Sequence, residues 1–297
     1  MNVTYETLFA EKVAAEIEET YRRHLEEEGT NLRAQFVLVP SLDDPVADCV
    51  YPQPPLGDRI AAAANGGGGG GGGYELRLPG AEGISYGTLG LEHVETAGRE
   101  DEGGGTSLSS STATAGRKRV HCVSNPCTLR IDDLVLGLTS TDILHHLSAD
   151  TADANLEPGT RLSRIAQHLL QQRSYYPLFP PPAAPPLSSS RSNSSRISPP
   201  NLDLKMMDYW SIPVTPDILI LPSKLAPMAR PVLGNRTLAL NPGTVVRGTN
   251  TGGTYAVLDV RPAPSRAREG DDEAPAVDLD ESRSALQDRI RVDVKRI

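Results

Sequence analysis

The feature that most constrains the fold is the stretch 208–262, the longest part of the sequence without a low-complexity interruption. Near its start, an apolar run at 217–221 (DILIL) is closed by a proline and a serine. A short apolar run bounded by turn residues predicts a strand buried on both faces of a sheet. The same stretch predicts two further strands, at 236–240 and 254–260.

Two turns are predicted between these strands, at 241–243 (NPG) and 251–254 (TGGT). A turn rich in glycine and threonine can cradle a phosphate when a charged partner lies beside it. The second turn lacks the Gly-Lys-Ser/Thr ending of a phosphate-binding loop. We therefore interpret it as a tight turn between strands.

The N-terminal segment predicts a helix that Thr4 caps and that ends at about Glu28, before Gly29. Its apolar residues recur every four positions and form one stripe that drifts slowly around the helix: Tyr5, Phe9, Val13, Ile17, Tyr21 and Leu25. A buried strand is predicted at 35–39 (QFVLV). A helix followed by a buried strand is typical of an α/β domain with a partly parallel sheet.

Further elements are predicted from Lys118 onward. Two extended segments meet at Asn125-Pro126, and a two-residue turn at Asp132-Asp133 predicts a hairpin. Thr139-Ser140 is expected to cap a short helix at 141–147.

A second helix is predicted at 160–174, with its leucine and isoleucine side chains directed inward: Leu162, Ile165, Leu169 and Leu170. At the C-terminal end, 289–297, apolar residues alternate with charged ones. This pattern predicts a strand with one buried face, docked in a sheet.

Three segments are predicted to lie outside the packed structure. The segment 61–116 contains eight consecutive glycines and a serine/threonine tract, and we interpret it as a long disordered insertion. The segment 180–200 is a proline- and serine-rich insertion, and 263–285 is an acidic loop.

Composition excludes several classes of function. With 29 Lys plus Arg against 38 Asp plus Glu, the net charge is −9, so the chain has no general attraction for phosphate backbones. Three cysteines fit a reducing compartment better than secretion. Neither a signal peptide nor an apolar run long enough for a membrane span is predicted.

Several residues are candidates for metal binding, and each also has a plainer interpretation. Asp43-Asp44 follows the predicted strand and has no histidine beside it, which favours a solvated turn or a helix cap. Cys122 and Cys127 with His121 lack a second ligand pair, which favours structural, buried or half-buried thiols.

His145 and His146 follow Asp142 on the predicted helix. Adjacent residues on a helix point in different directions, so both histidines cannot face one site. We predict a role on the helix surface.

Seven stretches outside the low-complexity segments carry a family resemblance. They are QFVLVPSLDD, DCVYPQPP, HCVSNPCTLRIDDLVLGLTSTDILHHL, RLSRIAQHLLQQRSYYPLFPP, IPVTPDILILPSKL, LALNPG and GGTYAVLDV. In this order they resemble the second-subunit family of the eukaryotic DNA polymerase alpha–primase complex, the B subunits. The combination of VYPQPP, GLTSTD, QRSYYPL and PVTPD is its specific part. Delta and epsilon polymerases have related second subunits, but these stretches are most similar to the alpha one.

The resemblance implies an α/β fold, a calcineurin-like metallophosphoesterase β-sandwich flanked by helices, in inactivated form. Active relatives carry histidines in two loops that look like 40–44 and 221–225 here, and neither loop contains a histidine. A two-metal site needs imidazoles and carboxylates that converge on both ions. The resemblance therefore implies no catalytic, cofactor-binding or metal-binding residues, and no cofactor.

The resemblance also implies a missing part. In the family, an oligonucleotide-binding fold and the first strands of the phosphoesterase-like domain precede the point that matches Met1. We therefore expect 1–297 to be the C-terminal portion of that domain, N-terminally incomplete, as a fragment or an incomplete gene model.

The function that the resemblance implies is that of a non-catalytic accessory subunit in the nucleus. Such a subunit holds the C-terminal region of the polymerase alpha catalytic subunit and tethers it to the primase subunits during initiation of DNA replication and primer synthesis. Contact with DNA is then expected through these partners, and no membrane is involved.

Three other hypotheses stay open at this point. One is the second subunit of another replicative polymerase. Another is a divergent metal-dependent phosphodiesterase or nuclease that uses some of five residues: Asp43, Asp44, Asp142, His121 and His145. The last is a disordered scaffold, which fits the glycine and serine tracts but not the predicted strands.

Overall fold

The structure of the chain is a computed structural model that describes residues 5–30, 32–56, 119–151, 161–182, 200–247, 251–262 and 288–297. The predicted cap at Thr4 lies outside these residues, and so do the predicted insertions and acidic loop, wholly or for the most part: 61–116, 180–200 and 263–285. Among the described residues, no helix combines the length and the apolar character that crossing a membrane requires.

The chain divides into two compact units. The first comprises Met1–Pro40, Asp44–Asp48 and Pro54–Ser124. The second comprises Ser41–Asp43, Cys49–Gln53 and Asn125–Ile297.

An unbroken helical segment opens the first unit. It consists of α1 (Tyr5–Phe9), a π-helical turn (Ala10–Ala14) and α2 (Ala15–Glu28). The predicted end of this helix is confirmed. Gly29 adopts a left-handed φ of 64° and donates its N–H to the Leu25 carbonyl at 3.0 Å, as glycine does at many helix ends.

The predicted apolar stripe of this helix is only partly buried. Ile17 and Tyr21 are buried together with Ala14, whereas Tyr5 is 62% and Leu25 40% exposed. Residues four apart on an α-helix are rotated by about 40° from each other. A stripe of six such residues therefore leaves the buried face at both ends.

The strand predicted at 35–39 is present as β1 (Phe36–Leu38), which pairs in parallel with β2 (Val120–Cys122). The predicted burial of this strand is confirmed for one face only. Phe36 and Leu38 pack against the small core of this unit, but Val37 is 39% exposed. Side chains alternate along a strand, and the described neighbours cover only one face of β1.

A five-stranded sheet forms the centre of the second unit. Its strands are β3 (Cys127–Ile131), β4 (Leu134–Leu138), β5 (Ile218–Ile220), β6 (Met228–Val232) and β7 (Thr237–Asn241). They lie in the order β3-β4-β5-β7-β6. The three central strands are parallel, and each edge strand is antiparallel to its neighbour. The predicted α/β class with a partly parallel sheet is thus confirmed.

Four of these five strands were predicted from the sequence. The hairpin with a turn at Asp132-Asp133 is present as β3 and β4, and the two-face burial of the DILIL strand is confirmed by Ile218 and Leu219, at 1% and 0% exposure. The strand β6, which contains Pro231, was not predicted. An edge strand accommodates proline where the missing N–H would face away from the sheet.

Two helices and a 3₁₀ helix accompany the sheet: α3 (Ile143–Asp150), α4 (Arg161–Gln171) and Leu204–Trp210. The first begins later than predicted, because Asp142 and not Thr139-Ser140 provides the N-cap. The second helix, α4, is present as predicted but ends earlier, at Gln171. Its side chains Ile165, Leu169 and Leu170 are buried.

Different segments of the chain pack on the two faces of the sheet. Helices α3 and α4 pack on the face that carries Leu219 and Ala239, in a core that also contains Tyr51, Ile143, Leu144, Ile165, Ala166, Leu169, Leu170, Tyr175, Tyr176, Trp210, Ile212, Leu221 and Val232. On the other face, Leu134 and Ile218 contact an antiparallel ribbon of β10 (Thr254–Val260) and β11 (Ile290–Arg296), through Leu258 and Ile290.

The ribbon confirms the predicted C-terminal strand but not its buried face, since Ile290 and Val292 are only half-buried and Val294 is 38% exposed. The predicted turn at 251–254 is also wrong in part.

Thr251 and Gly252 form β9 (Thr251–Gly252), which pairs with β8 (Val246–Arg247). Gly253 follows, where a Cβ would come within 1.7 Å of the Thr244 carbonyl oxygen. The glycines thus allow two backbone segments to approach each other.

The sheet should be sensitive to volume at Gly137 in β4. A Cβ there would come within 2.7 Å of the Tyr175 hydroxyl oxygen and 3.3 Å of Leu219 Cδ1. We expect Gly137→Ala to lower the free energy of unfolding by roughly 1–3 kcal/mol, because an overpacked core forces its neighbours apart. Urea denaturation measures this change.

The control is the same substitution in a Tyr175→Phe background, which removes the closest atom. Alanine at position 137 should cost less there, because the two sites are coupled. An equal cost in both backgrounds would show that the prediction is wrong.

Candidate functional site

The candidate site is the edge of the sheet where the three parallel strands end. Strands β4, β5 and β7 point the same way, so the chain leaves all three at this edge. The loops that follow them begin at Thr139, Leu221 and Pro242. Open α/β sheets bind ligands at the carboxyl ends of their strands. The polar side chains at this edge therefore determine which ligands it could bind.

Asn241, at the end of β7, is fully buried and forms four hydrogen bonds to backbone groups. Its Oδ1 accepts from the N–H groups of Ser223 and Gly243, both at 2.9 Å. Its Nδ2 donates to the carbonyls of Leu225 and Ala226, at 3.3 and 3.1 Å. The side chain therefore ties the loop after β5 to the end of β7. It also confirms the predicted turn at 241–243, where Gly243 has a φ of 81°.

Asp142 connects the start of α3 to the loop after β5. One carboxylate oxygen accepts from the His145 N–H at 3.1 Å and caps the helix. The other accepts from the Lys224 N–H at 2.9 Å. Both oxygens of this carboxylate thus hold backbone groups.

Asn125 is the centre of a third set of contacts. Its Oδ1 accepts from the Thr139 hydroxyl at 2.9 Å and from the Ser140 N–H at 3.0 Å. Its Nδ2 donates to Gln53 Oε1 at 2.8 Å and to the Thr141 hydroxyl at 3.3 Å. Asn125 and Gln53 are 0% and 1% exposed, and their backbones pair as well.

The roles of Asn125 and Gln53 were not predicted from the sequence. Asn125 was predicted only to lie where two extended segments meet. Gln53 lies between two prolines in an irregular segment, and its partner is remote in sequence. No local pattern marks a buried asparagine whose partners are 14 to 72 positions away.

The histidine pair of α3 is divided between two environments. His145 is half-buried, whereas His146 is only 4% exposed and its Nδ1 lies 3.0 Å from the Tyr176 hydroxyl oxygen. The two rings do point in different directions, but the predicted surface role is wrong for His146. Its burial lowers the pKa of the imidazole; Asp142, Asp150 and Asp43 act in the opposite sense and His145 in the same sense.

The residues proposed for a metal-dependent hydrolase take part in other contacts. In the second unit, the Asp43 N–H donates to the Ser41 hydroxyl, and Asp142 has the capping role described above. In the first unit, Asp44 Oδ1 accepts from the Val46 N–H, and His121 Nε2 lies 3.0 Å from Gln35 Oε1.

No group of three or more histidine, cysteine, aspartate and glutamate residues within the described ranges is placed to hold a metal ion. Cys122 and Cys127 are half-buried, as predicted, and burial raises the pKa of Cys127 to about 12.

Comparison with known sequences relates part of this edge to a family. The family of the B subunits of DNA polymerases alpha and epsilon matches residues 106–230, which include Asn125, Asp142, His146 and Ser223. This part of the chain is therefore similar to that family. The family match covers less of the chain than the seven stretches of the sequence analysis, since it leaves out β1 and everything from β7 onward.

Relatives that are named as the B subunit of DNA polymerase alpha occur in animals and fungi. The protein of Rattus norvegicus is 37% identical over 158 residues, 52% of this chain and 24% of the relative. That of Bos taurus is 43% identical over 109 residues, 37% of this chain and 16% of the relative. That of Schizosaccharomyces pombe is 35% identical over 144 residues, 48% of this chain and 22% of the relative. The chain thus matches about a quarter or less of the length of these relatives.

Asn241 should contribute more to stability than its neighbour Ser223. Asn241→Ala leaves two buried N–H groups without their acceptor, at about 1–3 kcal/mol each, so we expect a loss of roughly 2–6 kcal/mol in the free energy of unfolding. Ser223→Ala removes the acceptor of one N–H, that of Leu225 at 3.1 Å, and should cost less. Urea denaturation of both variants measures the difference. If Ser223→Ala costs as much, Asn241 does not hold the edge together.

His146 should make stability depend on pH. Its pKa is lowered in the folded state. The neutral ring is therefore favoured by folding, and this contribution is present above the unfolded pKa of about 6.5 and is lost as the pH falls below it. We expect His146→Gln to reduce the loss of stability between about pH 8 and about pH 5.5, because glutamine does not titrate.

The control for this measurement is His168→Gln, on α4, which replaces a partly exposed histidine. Chemical denaturation at each pH gives the free energy of unfolding and thus its slope against pH. If this slope is the same for His146→Gln and for the unsubstituted chain, the assignment is contradicted.

Proposed function

We propose that the chain acts as a non-catalytic accessory subunit of the DNA polymerase alpha–primase complex. The observation that carries this proposal is the match of residues 106–230 to the B-subunit family, together with relatives that are named as the B subunit of DNA polymerase alpha. In this role the chain binds the C-terminal region of the catalytic subunit and tethers it to the primase subunits. Its place of action is the nucleus, and its contact with DNA is made through these partners.

The architecture of the second unit supports the proposal for the fold. A mixed sheet with helices on one face and a β-ribbon on the other is compatible with part of a calcineurin-like phosphoesterase sandwich. In this proposal 1–297 is the C-terminal portion of such a domain, with insertions at 61–116 and 180–200 and an acidic loop at 263–285.

The contacts at the carboxyl edge support an assembly role over hydrolysis. In a two-metal hydrolase the polar side chains at this edge converge on the ions. Here Asn241, Asp142 and Asn125 direct their polar atoms at backbone groups and at neighbouring side chains, so they stabilise the loops. Such an edge is suited to hold its loops in one fixed arrangement.

Copurification tests the proposed role. The protein, in the longest form that its gene encodes, is coexpressed with the catalytic subunit of DNA polymerase alpha from the same organism. We expect a complex that survives size-exclusion chromatography. The control is the catalytic subunit of another replicative polymerase, which should not be retained. Failure to bind the alpha subunit, or preference for the other one, would overturn the proposal.

A hydrolysis assay tests the competing enzymatic role. With Mn²⁺ and a generic phosphodiester such as bis-p-nitrophenyl phosphate, we expect no turnover above that of buffer. Asp43→Ala and Asp142→Asn should leave this background unchanged. Mn²⁺-dependent turnover that either substitution abolishes would establish a divergent phosphodiesterase instead.

A further inference from the structure

We draw no further inference here: the strongest candidate, the exposed apolar patch of Leu204, Met206, Met207 and Tyr209 on the 3₁₀ helix of the second unit, carries none, because nothing in the described part of the chain shows what covers it.

Discussion

The second unit depends on how the backbone groups at the ends of its parallel strands find partners. Where β4, β5 and β7 end, the chain turns away and the N–H and C=O groups of the loops lose the sheet as a partner. A buried backbone group without a partner costs about as much as a lost hydrogen bond. The side chain of Asn241 satisfies four such groups, that of Asp142 two, and that of Asn125 one, the Ser140 N–H. Three side chains therefore hold these loops and the start of α3.

Sequence patterns predicted the elements that obey local rules. The DILIL strand, the hairpin at Asp132-Asp133 and the helix end at Gly29 each depend on residues within a few positions of one another. The strand β6 was not predicted because a proline, here Pro231, is rare inside strands. It is tolerated because β6 is an edge strand of the sheet. Which face of an element is buried was predicted less well, as Val37 and Val294 show, because the covering layer comes from remote segments.

The candidate site was less predictable than the fold. The loops around it were found through a resemblance of whole stretches, but the residues that hold it together were not. Asn241 lies in a predicted turn and Asn125 between two predicted strands, and nothing nearby shows that either is buried. His146 was predicted on a helix surface, because its eight-residue helix shows no stripe that tells the buried side from the exposed one. The side chain of His146 is buried against Tyr176, which is remote from it in sequence.

The hydrogen bonds of Asn241, Asn125 and Asp142 at this edge have a consequence for the proposed accessory subunit. Buried polar networks are rigid when every member has a partner, and a partly satisfied network costs more than an apolar one. An edge whose polar side chains are held by structural hydrogen bonds is therefore rigid. Its polar atoms would then offer little to a new ligand, so contacts with partners must be made by other surfaces.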